Sequence, residues 1–268
     1  MAHNYDVLRS KKLFLLDMDG TLYLDHQLFD GTLDFLNELK KQNKRGIYIT
    51  NNSSKSVKDY VIKLKQLGIE ATEKDFYTSS MATAHYLNEF HAGQTVYCMG
   101  TESLKTELRN QGIRIAKDKD DFVEVVLLGF DTELTHQKLR DVCWLLQKDL
   151  PYLATNPDYV CPVEFGYVPD CGSFAEMLYY AIKKKPLFIG KPNPRMIEYA
   201  VELAGYKKAD AVVIGDRLYT DILSGKNANV STICVLSGET TLGEIHQSEV
   251  KPDFVIPSIK EIYEIIRK

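Results

Sequence analysis

Residues 13–21 are Leu13-Phe14-Leu15-Leu16-Asp17-Met18-Asp19-Gly20-Thr21, a short apolar run that ends in two carboxylates and a glycine. A continuous apolar run of this length is typical of a β-strand that is buried on both faces. Two carboxylates directly after such a strand are unfavourable unless another group compensates their charge. A hard divalent cation such as magnesium compensates carboxylate charge through oxygen ligands. The segment therefore predicts a buried strand with a metal or catalytic site at its carboxyl end.

The same alternation of apolar runs, polar loops and helical spacing recurs in the first and last parts of the chain. Residues 46–49 form a second apolar run, and a helix is predicted over 56–67 before Gly68. Near the C-terminus, the sequence predicts strands and helices in alternation: strands over 185–189, 211–214, 231–235 and 254–256, and helices over 195–204 and 259–267. Such alternation indicates βαβ units and a parallel sheet. The predicted fold class is α/β, with a Rossmann-like parallel-sheet core.

The middle of the chain has a strand–helix rhythm of its own. Strands are predicted over 95–98 and 123–128, and helices over 102–111 and 135–149. A segment of this size forms a second domain when it is inserted into a surface loop of the first. We expect a catalytic core formed by residues 1–82 and 180–268, with an inserted α/β cap domain over 83–179.

Composition excludes several classes of protein. The chain has 268 residues, of which 44% are hydrophobic, and a formal net charge of -4, so it has no electrostatic footprint for nucleic acid. No apolar stretch is long enough to span a membrane, and the first ten residues lack an apolar signal core. The five cysteines show no Cys-x-x-Cys spacing, which favours small buried side chains in a reducing compartment. A cytoplasmic protein is predicted.

Four polar residues follow predicted strands that are far apart in sequence: Asp17, Thr50, Lys191 and Asp216. Ligand sites of open parallel sheets lie beyond the carboxyl ends of the strands, so these side chains are expected to converge on one crevice. The segment Asp17-Met18-Asp19-Gly20 also matches the start of a calcium-binding loop. Such a loop needs a glutamate at its twelfth position, where this chain has Leu28.

Four motifs in this order resemble the signatures of the haloacid dehalogenase superfamily. They are Asp17-Met18-Asp19-Gly20-Thr21, Thr50-Asn51-Asn52, Lys191 within Gly-Lys-Pro-Asn-Pro, and Gly215-Asp216-Arg217-Leu218-Tyr219-Thr220-Asp221. The Thr-Asn-Asn, Gly-Lys-Pro and Gly-Asp-Arg-Leu-x-Thr-Asp forms, together with Thr155-Asn156-Pro157-Asp158, are similar to NagD-like and 4-nitrophenylphosphatase-like enzymes. The resemblance covers nearly the whole chain and implies a magnesium-dependent phosphatase that hydrolyses phosphate monoesters.

The resemblance also implies the parts played by the two acids of the first motif. Asp17 would be the nucleophile that forms an aspartyl-phosphate. Asp19 would protonate the leaving group and then accept a proton from the attacking water. Mg²⁺ would be held by Asp17, by the main-chain carbonyl of Asp19 and by Asp216.

The remaining motif residues are expected to bind phosphate or to support the site. Thr50, Asn51 and Lys191 would contact the phosphate oxygens, with Lys191 supplying a compact positive charge. Asp221 would orient the metal ligands or Lys191 from behind.

The inserted segment would act as a cap that selects the substrate, with residues 156–173 as the candidate facing loop. Its aromatic residues Tyr159, Phe165 and Tyr167 fit stacking on a base or sugar, and equally fit internal packing. The expected partner is a small phosphorylated metabolite, such as a nucleoside monophosphate or a sugar phosphate. The resemblance also allows a homodimer through the cap.

Three alternatives keep the same residues and change the function. An aspartate at a strand end with neighbouring acids, Thr and Lys also fits a phospho-accepting receiver-type switch. Asp19 argues against it, because a built-in acid/base promotes turnover of the phosphorylated state. A phosphotransferase or mutase would use the same nucleophile with another acceptor, and a silent binding protein would retain the site without turnover.

Overall fold

A computed structural model describes residues 5–163 and 165–268. The strands of these residues are, in chain order, β1 (Leu13–Leu16), β2 (Tyr23–Leu24), β3 (Gln27–Leu28), β4 (Arg45–Thr50), β5 (Phe76–Thr78), β6 (Thr95–Met99), β7 (Arg114–Ile115), β8 (Val125–Leu128), β9 (Tyr152–Ala154), β10 (Val160–Val163), β11 (Gly166–Pro169), β12 (Leu187–Phe188), β13 (Ala211–Gly215), β14 (Ser231–Val235) and β15 (Phe254–Ile256). The α-helices are α1 (Asp6–Ser10), α2 (Thr32–Lys41), α3 (Val57–Gln66), α4 (Ser79–Phe90), α5 (Glu102–Asn110), α6 (His136–Leu145), α7 (Cys171–Ile182), α8 (Pro194–Leu203), α9 (Leu223–Asn227), α10 (Leu242–Gln247) and α11 (Ile259–Ile266).

The chain divides into two compact units. The first contains the described residues up to Thr50, together with Val61–Tyr77 and Lys191–Lys268. The second contains Asn51–Tyr60 and the described residues of Thr78–Gly190. The division therefore falls at other residues than the predicted boundaries of 82/83 and 179/180, and it also passes through α3.

A six-stranded sheet in the order β15-β14-β13-β1-β4-β5 forms the centre of the first unit. Strand β1 lies between β13 and β4 and is parallel to both, with Leu16 opposite Ile214 and Tyr48. All four residues of β1 and all five of β13 are buried. Continuous apolar strands are stable here because both faces of the sheet are covered. The predicted parallel-sheet α/β core is confirmed.

A five-stranded parallel sheet in the order β12-β9-β8-β6-β7 forms the centre of the second unit. Alternate residues of β8 point to opposite faces. Val126 and Leu128 join one apolar cluster, whereas Val125 and Leu127 join another. The second unit therefore has a hydrophobic core on each face of its own sheet.

The strand predicted over 185–189 belongs to the other sheet. The sequence predicts it as part of the catalytic core, but β12 covers only Leu187–Phe188 and pairs with Leu153 and Ala154 of β9 in the second unit. A short apolar run specifies extended backbone without specifying which sheet it joins. This strand therefore belongs to the second unit, and Ile189 and Gly190 separate it from Lys191.

The cysteines lie partly or fully inside the fold. All five cysteines are free; Cys98, Cys171 and Cys234 are buried, while Cys143 and Cys161 are half-buried. Within the described parts of the chain, no helix has the length and apolar character needed to cross a bilayer.

Glu107 on α5 is a half-buried acid outside the predicted site, and its Oε2 is buried. Its Oε2 accepts no hydrogen bond from the described residues. Burial raises the pKa of Glu107 to about 7, against a smaller lowering by a hydrogen bond with Thr78. The folded protein therefore binds more protons at this position than the unfolded chain between pH 4.5 and pH 7, and stability falls as the pH rises through this range.

We expect Glu107→Gln to remove this loss and to be more stable than wild type above pH 7, by up to about 3 kcal/mol. Below pH 4.5 the two proteins should have similar stability. Urea unfolding at pH 4.5, 6 and 8 measures the effect. Glu70→Gln is the control, because the Glu70 side chain is 94% exposed. A difference between Glu107→Gln and wild type that is the same at every pH would contradict the assignment.

Candidate active site

Asp17 lies at the carboxyl end of β1, in the middle of the six-stranded sheet. Its backbone N–H donates to the carbonyl of Ile214 on β13 at 2.9 Å, which continues the parallel ladder by one residue. The side chain is 15% exposed, so most of it is buried while part remains accessible. The strand thus holds a carboxylate at the edge where ligands of parallel sheets bind.

Lys191 is buried against this carboxylate. Its Nζ lies 2.6 Å from Oδ1 of Asp17 and 2.6 Å from Oδ1 of Asp221, and its side chain is 3% exposed. Burial acts against the charge of Lys191, but Asp17 and Asp221 outweigh that effect and raise the pKa of the ammonium above its ordinary value. The lysine is therefore a fixed positive charge at the end of β1.

Asp221 is held by the segment after β13. The backbone N–H of Arg217 donates to Oδ2 of Asp221 at 3.1 Å. Residues Leu218–Ile222 form a single π-helical turn, an irregularity that often occurs at functional sites. This turn places Asp221, whose side chain is 1% exposed, behind Lys191.

The loop after β14 holds Asp216. The N–H of Glu239 donates to Oδ2 of Asp216 at 2.8 Å, and the N–H of Thr240 donates to its carbonyl at 3.1 Å. Ser237 Oγ donates to the carbonyl of Gly20 at 2.8 Å, which ties this loop to the first motif. Sequence alone did not indicate Glu239 and Thr240, because they act through backbone N–H groups, which any residue type can supply.

Carboxylate oxygens of Asp17, Asp216 and Asp221 lie within 4.8 Å of one another. Burial, followed by the charge of Asp221, raises the pKa of Asp17 well above its usual value. The same two causes raise the pKa of Asp216 to about 6. Oδ1 of Asp216 is buried and has no hydrogen-bond partner in the described chain. An oxygen-only donor set with an unsatisfied buried oxygen fits a hard divalent cation.

Two of the predicted metal ligands, Asp17 and Asp216, belong to this cluster, and its third member is Asp221. The other predicted ligand is the main-chain carbonyl of Asp19, which stays a prediction. The Asp19 carboxylate lies near Lys63 Nζ, at 3.2 Å, and near the hydroxyl of Tyr23, at 3.3 Å. Sequence reasoning missed Lys63, which is 44 positions away from Asp19.

Thr50 and Asn51 are adjacent in sequence but belong to different units. Thr50 ends β4 and is buried in the first unit, at the same sheet edge as Asp17. Asn51 belongs to the second unit, where its side-chain amide donates to Asp158 at 3.1 Å and its carbonyl accepts from Ser79 and Asn156. The phosphate-binding parts predicted for these two residues stay predictions.

Two family models match the chain. One, described as haloacid dehalogenase-like hydrolase, covers residues 14–114, and another, described as HAD-hydrolase-like, covers residues 188–262. The acid sugar phosphatase of Staphylococcus saprophyticus is 34% identical over 261 residues, which are 97% of this chain and 100% of that protein.

Solved structures of phosphatases also match this chain. The 4-nitrophenylphosphatase of Thermotoga maritima is 40% identical and covers 97% of this chain and 99% of its own, with a TM-score of 0.92. The glycerol phosphate phosphatase of Mycobacterium tuberculosis in complex with magnesium is 28% identical, with a TM-score of 0.91, covering 96% of this chain and 78% of its own. The chain belongs to the haloacid dehalogenase-like hydrolase family. The predicted enzyme class, a phosphatase, and the NagD-like and 4-nitrophenylphosphatase-like subgroup are confirmed.

The position of Asp216 depends on a glycine. A Cβ atom at Gly238 would overlap with the Asp216 carboxylate, and so would one at Gly20, whose φ is +84°. We expect Gly238→Ala to displace Asp216 and to lower phosphatase activity by about 10- to 100-fold, since small displacements of site groups have effects of this size. Steady-state kinetics measures the loss. Gly243→Ala is the control, because its Cβ would meet only Oγ1 of Thr241 at 3.9 Å. Equal activity of the two variants would contradict the steric argument.

Proposed function

We propose that the protein is a magnesium-dependent phosphatase that hydrolyses small phosphate monoesters through an aspartyl-phosphate on Asp17. The observation that carries the proposal is the contact between a buried lysine and a partly accessible carboxylate. Lys191 lies 2.6 Å from Asp17, which is 15% exposed, so a phosphate that reaches this carboxylate meets a fixed positive charge. A lysine ammonium is suited to phosphate oxygens because it is a compact charge with three donors.

The donors for Mg²⁺ would be the carboxylates of Asp17 and Asp216 and the main-chain carbonyl of Asp19. The unsatisfied Oδ1 of Asp216 supports this set, because it is a buried oxygen without another partner in the described residues. Asp221 lies close enough to join, but both of its oxygens are engaged, one with Lys191 and the other with the N–H of Arg217. When bound, Mg²⁺ offsets the repulsion between carboxylate and phosphate and orients the phosphoryl group for in-line attack.

The first chemical step transfers the phosphoryl group to the protein. An oxygen of Asp17 attacks phosphorus while the bond from phosphorus to the leaving-group oxygen breaks. Asp19, in its acid form, gives its proton to that oxygen, so the alcohol leaves neutral and Asp19 becomes a carboxylate. Lys191 donates to the transferring oxygens, which carry the negative charge in the transition state.

The second step restores the enzyme. Asp19 takes a proton from a water molecule while the oxygen of that water attacks phosphorus. The bond between phosphorus and Asp17 breaks at the same time. The products are inorganic phosphate, a free Asp17 carboxylate and the acid form of Asp19. The Asp19 side chain is 44% exposed, which gives it access to water for this step.

The proposed substrate is a small phosphorylated metabolite, with sugar phosphates and nucleoside monophosphates ahead of others. Support comes from relatives named acid sugar phosphatase, 4-nitrophenylphosphatase and glycerol phosphate phosphatase. The exposed aromatic residues Tyr159, Phe165 and Tyr167 are available for stacking, since each is more than half exposed. A cap function for the second unit, a homodimer through it and a cytoplasmic location stay predictions.

Release of phosphate from 4-nitrophenyl phosphate and a panel of sugar phosphates and nucleotides tests the proposal. We expect wild type to turn over many times with Mg²⁺ and to lose activity with a chelator. Asp17→Asn should lose at least about 1,000-fold in kcat, because the nucleophile is removed. Asp149→Asn is the control, since the Asp149 side chain is fully exposed.

Acid quenching during turnover should trap a phosphorylated protein that hydroxylamine cleaves, as expected for an acyl-phosphate. Asp17→Asn should not form this species. Residual activity of Asp17→Asn near the wild-type level would overturn the assignment of the nucleophile. A single turnover followed by a stable phosphorylated protein would favour the receiver-type switch.

A further inference from the structure

The Asp19 carboxylate is contacted at both of its oxygens. Lys63 Nζ donates to Oδ1 at 3.2 Å, and the Tyr23 hydroxyl donates to Oδ2 at 3.3 Å. Lys63 Nζ also lies 4.2 Å from the centroid of the Tyr23 ring. The three side chains therefore form a closed set, in which each contacts the other two.

The backbone brings Tyr23 to this position. The N–H of Gly20 donates to the carbonyl of Tyr23 at 2.8 Å, and the N–H groups of Thr21 and Leu22 donate to the carbonyl of Met18 at 3.2 and 2.9 Å. The chain after β1 thus folds back on itself, and residue 23 lies beside residue 19. Tyr23 is fully buried, so its ring is a fixed surface against which the stem and ammonium of Lys63 are held.

An isolated surface pair between lysine and aspartate contributes little, because both side chains are mobile. Here the contacts with Tyr23 restrict the mobility of both side chains. Lys63 is 21% exposed and rests on a buried ring, while Asp19 is 44% exposed and held from two directions. A carboxylate offers about four acceptor sites on its two oxygens. Two donors fix its plane and still leave a lone pair on each oxygen for proton exchange.

We propose that Lys63 and Tyr23 are positioning residues that hold the Asp19 carboxyl in the orientation needed for proton transfer to and from the leaving group and water. The inference rests on the proposed function, because it assigns to these residues the placement of the proposed acid and base. Neither residue contacts the phosphoryl group in this scheme. Their loss should therefore slow the steps that need proton transfer and leave phosphate binding unchanged.

The dependence on the leaving group provides the test. An alkoxide such as that of glycerol phosphate needs a proton as it leaves, whereas 2,4-dinitrophenolate does not. Single-turnover release of the leaving group isolates the first chemical step for each substrate. For Lys63→Met we expect this step to slow about 10- to 100-fold with glycerol phosphate and to stay within about threefold with 2,4-dinitrophenyl phosphate. KM for glycerol phosphate should change little, so the loss appears in kcat.

Matched variants separate this effect from a structural one. Lys63→Arg keeps a cation and should recover most of the rate with glycerol phosphate. Tyr23→Phe keeps the ring and removes the hydroxyl. Its rate with glycerol phosphate should fall by about 2- to 10-fold, with the same selectivity between the two substrates. Lys65→Met on the same helix is the control, because the Lys65 side chain is exposed and makes no ion pair or hydrogen bond among the contacts of the described residues.

Asp19→Asn distinguishes the failure of this inference from the failure of the proposed function. If Asp19→Asn shows the leaving-group selectivity and Lys63→Met does not, the positioning role is overturned and the proposed function stands. If Lys63→Met slows equally with both substrates, the positioning role is also overturned, because Lys63 would then support the fold. If the variant has a raised KM and an unchanged kcat, the role is overturned because Lys63 would then bind phosphate. If Asp19→Asn itself shows no selectivity, the proposed acid is wrong.

Discussion

The buried ammonium of Lys191 is the interaction on which the catalytic edge of the first unit depends. It lies 2.6 Å from Asp17 and 2.6 Å from Asp221 with almost no exposure to solvent. Removing the partner of a buried carboxylate is strongly destabilising, because the remaining charge is left without compensation. One lysine cannot balance three acids, since Asp216 lies in the same group. The remaining negative charge fits a bound cation. That cation and the Lys191 ammonium would then form a pair of positive charges that fits a phosphate.

Backbone groups also hold the acids of this arrangement in place. N–H groups of Glu239 and Arg217 donate to the carboxylates of Asp216 and Asp221, and a carbonyl of β13 accepts from the N–H of Asp17. Glycine at 238 keeps the required space open. Because loops after three neighbouring strands supply these contacts, the parallel sheet determines the geometry of the charges. The proposed binding of metal and phosphate would therefore need little further ordering of these side chains.

The sequence predicted the sheet of the first unit and the positions of Asp17 and Asp216, because abrupt changes from apolar to polar residues mark the ends of buried strands. Lys191 lies beside Asp17, although the strand before it belongs to the other sheet. The sequence did not predict that Leu187–Phe188 joins the sheet of the second unit, since strand partners depend on contacts between distant residues. The network around Asn51 and the contact between Lys63 and Asp19 were missed for the same reason. A lysine on a helix has no local signal that distinguishes a solvated side chain from one that binds an acid.

The different exposure of Asp17 and Asp19 fits the different roles proposed for these two acids, which are separated only by Met18. Asp17 is 15% exposed and contacts a buried lysine, which suits a nucleophile that must meet phosphate without competing water. Asp19 is 44% exposed, which suits a group that exchanges protons with the leaving alcohol and with water. Exposure also gives its side chain freedom to adopt unproductive rotamers. Contacts from Lys63 and Tyr23 remove that freedom without burying the carboxyl, so the acid stays oriented and accessible at once.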